Sequence, residues 1–281
     1  MSGAGYAAGA ASFGRLFDLR DAPPKIERAD GAYDVAQLGD VRLVSHPDAD
    51  PLFVEQYRRL GAALYQAQLQ SGVRSVMVTS ALESEGKTVS AVNLALTLSR
   101  SFSKRVLLID ADLRRPAVHA LLQLPNTVGL GELLARSGGR LPARALSPTL
   151  SVMTAGRHDP DPIASLVSDG FQQLLAEAGD RYDWIVVDTP PVVLVPDAGL
   201  LAGRLDTTIL VVSAATTASP VAAKAVAAIG AARILGVVLN RAQPADIASG
   251  YGYSPYGYGR EPRRQNRTAD RGFISLGTNG R

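Results

Sequence analysis

Residues 75–101 read SVMVTSALESEGKTVSAVNLALTLSRS, and this stretch decides the fold. Ser75–Thr79 is a short apolar run of strand composition, while Thr88–Ser101 carries Ala91, Leu94, Ala95 and Leu98 on one stripe of a predicted helix. Between them, Ala81-Leu82-Glu83-Ser84-Glu85-Gly86-Lys87-Thr88 follows the P-loop pattern, with Ala81 in place of the first glycine. Such a turn lets successive backbone N–H groups face a phosphate at a helix N-terminus, where the helix dipole also favours an anion. Ser84, Glu85, Gly86 and Val89 are expected around the phosphates. Lys87 would project to the β- and γ-phosphates rather than into the core, and the Thr88 hydroxyl would reach Mg²⁺. An accidental Gly-Lys-Thr in an ordinary turn is the alternative, opposed by the apolar strand before it and the uninterrupted helix after it.

Working outward, an amphipathic helix precedes the strand, with Phe53, Tyr57, Leu60, Leu64 and Ala67 at intervals of three or four, ending near Gly72. Downstream, strands are predicted at Arg105–Ile109, Leu150–Thr154, Trp184–Val187, Thr208–Val212 and Gly236–Leu239. Helices are predicted at Gly131–Arg136, Ala164–Ala178, Asp197–Ala202 and Val221–Ile229. This alternation predicts an α/β fold of the P-loop NTPase type, a mainly parallel sheet flanked by helices on both faces. Residues 1–50 lack periodicity and read as a flexible N-terminal segment; 51–245 form the domain, and 246–281 a flexible Tyr/Gly/Arg-rich tail.

Two strands end in acid. Asp110 and Asp112 follow LLI in LLIDADLR, and Asp188 follows IVV in IVVDTPP. Ligands of open α/β sheets bind at the carboxyl ends of the strands, so all three carboxylates can gather beside the P-loop. Mg²⁺ takes hard oxygen ligands and keeps several waters, so a hydroxyl, a few carboxylates and phosphate oxygens suit it. A lone aspartate at a strand end is better read as a turn or cap residue; two such ends downstream of a P-loop oppose that reading.

The bulk composition narrows the classes. With no cysteine, disulfides, thiolate catalysis and cysteine-zinc sites are excluded. His46, His119 and His158 share no metal-ligand spacing. The formal charge of +3 is too small to imply nucleic acid, and its excess lies in the arginines after Tyr251. The opening MSGAGYAAGAASFGR lacks both the basic start and the apolar run of a signal peptide. The uncharged run Thr207–Ala223 is too polar and short beside the about 20 apolar residues a span needs. In the tail, Tyr251, Tyr253, Tyr256 and Tyr258 alternate with glycines that would let a tyrosine reach an active site on its own or a neighbouring chain.

Together these motifs resemble those of the bacterial tyrosine kinases (BY-kinases) of capsule and exopolysaccharide assembly. That family is characterised by a P-loop, three hydrophobics then D-x-D-x-R, a hydrophobic-DxPP motif and a C-terminal tyrosine cluster. Here they read ALESEGKT, LLIDADLR, IVVDTPP and YGYSPYGYG, within residues 52–260. The resemblance implies an ATP- and Mg²⁺-dependent tyrosine autokinase. Lys87 and Thr88 would hold ATP and Mg²⁺, Asp110 and Asp112 would serve catalysis and metal, and Asp188 would reach the metal through water. Asp110 or Asp112 would take the tyrosine proton, and the four tail tyrosines would be the acceptors. Asn240, in GVVLNR, is similar to the adenine-contacting asparagine of related ATPases, a helix or turn cap being the alternative. The resemblance also implies an inner-membrane polysaccharide co-polymerase as activating partner, self-association, no nucleic-acid partner, and a cytoplasmic chain held at the membrane through that partner.

Two departures stand out. Glu83-Ser84 replaces the usual Pro-Gly of the loop, and Gly61 replaces the second arginine of the ring-building E-x-x-R-x-x-R helix that begins at Glu55 and Arg58. Two other readings compete. A ParA/MinD-type positioning ATPase would carry an extra lysine where this chain has Leu82. A nucleotide-gated adaptor with little kinase activity is compatible with the altered loop. A eukaryotic-type kinase is excluded, since neither H-R-D nor D-F-G occurs.

Overall fold

A computed structural model describes residues 40–136, 141–157, 159, 161–214 and 216–242. Its centre is a seven-stranded sheet in the order β3-β4-β2-β5-β1-β6-β7. The strands are β1 (Ser75–Ser80), β2 (Val106–Asp110), β3 (Arg144–Ser147), β4 (Leu150–Met153), β5 (Trp184–Asp188), β6 (Thr207–Ser213) and β7 (Ile234–Asn240). All neighbours are parallel except β3, which pairs antiparallel with β4 at the edge.

The apolar runs become strands because the sheet is covered on both faces, so neither face needs polar residues. Successive side chains point to opposite sides. On one side, Met77, Leu107, Ile109, Ile185 and Val187 pack with α6 (Asp169–Arg181), through Phe171 and Leu174. On the other, Val76, Val78, Leu108, Trp184 and Val186 pack with α1 (Pro51–Ser71) and α2 (Lys87–Ser101). Each fully buried aliphatic side chain stabilises the fold by ~1.5–3 kcal/mol.

Helix α1 begins where Asp50 accepts a hydrogen bond from the Leu52 N–H at 2.8 Å and ends at Gly72, whose φ of 70° places it in the left-handed region. Its Gly61 is buried under Phe102: a Cβ there would lie 2.7 Å from that ring. The arginine missing from the E-x-x-R-x-x-R pattern therefore falls at a packed position.

Several elements differ from the sequence reading. The single helix expected over Ala164–Ala178 is two, α5 (Pro162–Val167) and α6, divided at Ser168, whose hydroxyl accepts from the Phe171 N–H and caps the second. Strand β3 and the short α3 (Val118–Leu121) have no counterpart among the predicted elements. Residues 40–50, assigned to the flexible segment, pack onto the domain. Leu43 is fully buried, and Asn93 of α2 accepts from the Val44 N–H and donates to the Arg42 carbonyl, each at 2.8 Å. Residues 1–39 and the tail, with Tyr251, Tyr253, Tyr256 and Tyr258, lie outside the described residues.

Candidate active site

The register of the sheet brings the acidic strand ends together. Asp110 of β2 and Asp188 of β5 are direct partners on adjacent parallel strands. On the far side of β5, β1 runs into the P-loop. The turn after Asp188 is fastened to it: the Thr79 hydroxyl donates to the Pro190 carbonyl at 2.7 Å, and the Val192 N–H donates to the Ser80 carbonyl at 2.9 Å. Pro190 and Pro191 restrict the backbone there.

Lys87 sits over these carboxylates. Its Nζ is 2.7 Å from Asp112 Oδ2 and 3.6 Å from Asp188 Oδ1. Thr88 Oγ1 donates to Asp188 Oδ2 at 2.6 Å. Asp110 faces the other way: Oδ2 accepts the Ala117 and Val118 N–H groups at 3.1 and 3.0 Å, and Oδ1 accepts the Asp112 N–H at 3.2 Å. It anchors the start of α3. Of the two carboxylates in the D-x-D motif, Asp112 lines the cavity described below.

Three carboxylates around one ammonium set the electrostatics. Burial, and then the charge of Asp188, push the Asp110 pKa up to about 8. Burial also raises that of Asp188, although Lys87 and the Thr88 hydrogen bond pull it back. Burial works against the Lys87 charge, but Asp188 and Asp112 hold its pKa above the usual lysine value.

A cavity of ~810 Å³ opens over the P-loop, lined by Ser84, Gly86, Lys87, Thr88, Val89 and Asn240 among others. The 40–50 segment supplies part of its wall through Val41 and Arg42. Gly86 has φ 97°, and a side chain there would strike the Asn240 amide. That amide donates to the Glu85 carbonyl at 2.8 Å, so Asn240 braces the loop as well as facing the cavity. Ser84 holds φ 61° where the family loop has glycine, and Glu83 pairs with Arg115 across the cavity mouth. The Glu85 side chain turns away from the cavity and is buried against the end of β6. Arg114 belongs to the D-x-D-x-R motif, but nothing in the sequence indicates its partner. The structure pairs it with Asp197, at the start of α7 (Asp197–Leu201), at 2.8 and 3.2 Å.

The residues fit a magnesium nucleotide. A threonine hydroxyl and hard carboxylates converge, and among the described residues the buried Asp188 Oδ1 has no hydrogen-bond partner, only the Lys87 ammonium at 3.6 Å. Among the described residues, no three His, Cys, Asp or Glu side chains group to hold a metal by themselves.

Fold and site together define a P-loop nucleotide-binding domain. Residues 76–250 match the CbiA family, described as the CobQ/CobB/MinD/ParA nucleotide binding domain. The chain is 38% identical over 215 residues to the tyrosine-protein kinase YwqD of Bacillus subtilis, covering 75% of this chain and 90% of that protein. It is 33% identical to the tyrosine-protein kinase Wzc of Salmonella typhi over 77% of this chain, spanning 30% of Wzc's length. The solved kinase domain of the Escherichia coli tyrosine kinase Etk superposes with a TM-score of 0.63 at 31% identity, covering 74% of this chain and 80% of that one. Within the larger family, this chain belongs to the bacterial tyrosine kinases. The ParA/MinD ATPases share only the broader family. No helix among the described residues is long and apolar enough to cross a membrane.

Proposed function

We propose that this tyrosine kinase transfers the γ-phosphoryl group of ATP to the tail tyrosines Tyr251, Tyr253, Tyr256 and Tyr258, and so regulates the polymerisation and export of a capsular or exopolysaccharide. The observation that supports this most is the convergence of Lys87, Thr88, Asp112 and Asp188 at one sheet edge beneath a single cavity. The backbone N–H groups of residues 84–89 cradle the phosphates, and Lys87 swings from Asp112 to the β- and γ-phosphates. Bound Mg²⁺ would supply charge neutralisation on the transferring group, held by Thr88 and Asp112, with Asp188 acting through water. Asp112, once released by Lys87, accepts the phenolic proton. The tyrosine oxygen bonds to phosphorus as the bond to the ADP oxygen breaks. Asp110 holds the strand end in place, and Asn240 meets the adenine.

The partner in this reading is an inner-membrane polysaccharide co-polymerase that activates the kinase and holds it at the cytoplasmic face, with self-association presenting one chain's tail to another's site. Phosphorylation adds about −1.5 to −2 charges per tyrosine. Mass spectrometry of the tail after incubation with Mg-ATP, with and without the activator, tests the assignment. The four-tyrosine-to-Phe variant should lose most phosphotyrosine yet bind nucleotide as before. An undiminished signal from that variant would refute the acceptor role.

A further inference from the structure

Glu85 is only 2% exposed although it lies in an otherwise open loop. Among the described residues, its carboxylate takes three hydrogen bonds, none of them from a lysine or arginine. The Leu82 N–H donates to Oε2 at 2.7 Å and closes the P-loop on itself. Oε1 accepts from the Ser213 N–H at 3.4 Å and from the Thr217 hydroxyl. Ser213 ends β6, and Thr217 lies two residues before α8 (Ser219–Ile229). The Thr217 hydroxyl also accepts from the Ser213 N–H at 3.3 Å, and the Thr217 N–H donates to the Ser213 carbonyl at 3.0 Å, so the turn holds the hydroxyl in place.

Residue 85 is therefore gripped from two sides. Asn240 holds its carbonyl from β7, while the Ser213–Thr217 turn holds its carboxylate from β6. The grip matters because this loop lacks the usual glycine at Ser84, which sits at φ 61°. A non-glycine residue in the left-handed region costs ~1–2 kcal/mol and persists only where its surroundings fix it. Preorganised N–H donors are effective only when they do not have to reorganise on binding.

We propose that Thr217 is a positioning residue for phosphoryl transfer. Through Glu85, and without facing the cavity itself, it holds the P-loop backbone in its phosphate-cradling shape. This rests on the reading of residues 84–89 as the phosphate site. Because the cradle serves ground state and transition state alike, the effect falls on nucleotide affinity rather than on turnover.

The test uses the full chain, with Thr217→Val removing the hydroxyl at constant shape and Thr217→Ser keeping it. Mg-ADP affinity is measured by calorimetry, KM and kcat for ATP by phosphotyrosine formation, and folding by thermal unfolding. Thr217→Val should weaken Mg-ADP binding and raise the KM for ATP by about tenfold, the loss of one charge-assisted hydrogen bond, with kcat changed by less than about twofold. Thr217→Ser should behave as the parent. Parent-like affinity in Thr217→Val would overturn the proposal, as would a Ser variant as weak as the Val variant, or a loss confined to kcat. Lys87→Met serves as the parallel control. If it too leaves Mg-ADP affinity unchanged, the phosphate-site reading fails and the clamp falls with it; if only Thr217→Val is silent, the clamp alone fails.

Discussion

Replacing Lys87 by Met should destabilise the protein in a pH-dependent way, besides removing phosphorylation. From the sequence, Lys87 projects into a phosphate site and its loss leaves folding untouched. In the structure its ammonium is nearly buried, 2.7 Å from Asp112 and 3.6 Å from Asp188. Removing one partner of a buried pair costs ~3–5 kcal/mol if the remaining charges stay ionised. They need not stay ionised. The Asp110 pKa is already raised to about 8, so this carboxyl binds its proton more tightly folded than unfolded. Its stabilising proton is present at low pH and is lost as pH rises through the folded value. Lys87 is one of the groups holding that value down, so the Lys87→Met substitution lets it climb further and prolongs protonation. The variant's native state then retains a proton that the parent has released, and each such proton adds ~1.4 kcal/mol per pH unit to the difference. Urea unfolding at about pH 6.5 should give a loss of roughly 1–3 kcal/mol, the cost of an unsatisfied buried acceptor. At about pH 9.5, roughly 1.5 units above the parent's Asp110 value, the loss should grow by up to about 2 kcal/mol, towards the ~3–5 kcal/mol of the broken pair. An equal loss at both pH values, or none at either, would refute the coupling of Lys87 to the buried carboxylates.

Gly61→Arg, which restores the family pattern in α1, should cost ~1–3 kcal/mol in urea unfolding, because its Cβ would lie 2.7 Å from Phe102. Unchanged stability would mean that the ring yields freely. Ser84→Gly should raise stability by ~0.5–1 kcal/mol, the left-handed penalty less the extra entropy of an unfolded glycine; a loss would show that the serine side chain supports the loop. Binding of Mg-ADP near neutral pH should release protons, up to about one per chain, because the metal competes with the Asp110 proton. Calorimetry in buffers of different ionisation enthalpy measures this, and net proton uptake would contradict it.

What the sequence makes legible depends on how locally each feature is determined. The central strands are plain because burial on both faces demands continuous apolar runs such as LLI and IVV. Strand β3 is different: Arg144-Ala-Leu-Ser has little strand character and owes its state to pairing with β4 across the edge. The break at Ser168 is hidden because the helical pattern continues on both sides, while the serine acts as a cap. Leu43 gives no signal, since a single buried leucine in an aperiodic segment has no period to detect. At the site, Lys87, Thr88, Asp112 and Asp188 are readable because strand ends and a P-loop imply one edge. The division of labour is not. That the Asp110 carboxylate caps α3, and that the Glu85 side chain points to β6, depends on chain segments brought together only by folding.

The charge at that edge is the physical ground for the divalent cation in the proposed mechanism. Three carboxylates, Asp110, Asp112 and Asp188, face one ammonium, that of Lys87. If all were ionised, the apo centre would carry two uncompensated negative charges in a place where Asp110 and Asp188 are fully buried. Such an excess is disfavoured in low dielectric, and burial together with the neighbouring charges raises the pKa of both Asp110 and Asp188, so the pair holds a proton between them. In the mechanism proposed above, a divalent cation would supply the charge that this proton supplies in part, and would free Lys87 to move from Asp112 towards phosphate. Asp112, released by Lys87 and still at the cavity wall, would then serve both roles proposed for it, holding the metal and accepting a phenolic proton. On that reading, the contact between Lys87 and Asp112 holds two functional groups in reserve, and one binding event would release both.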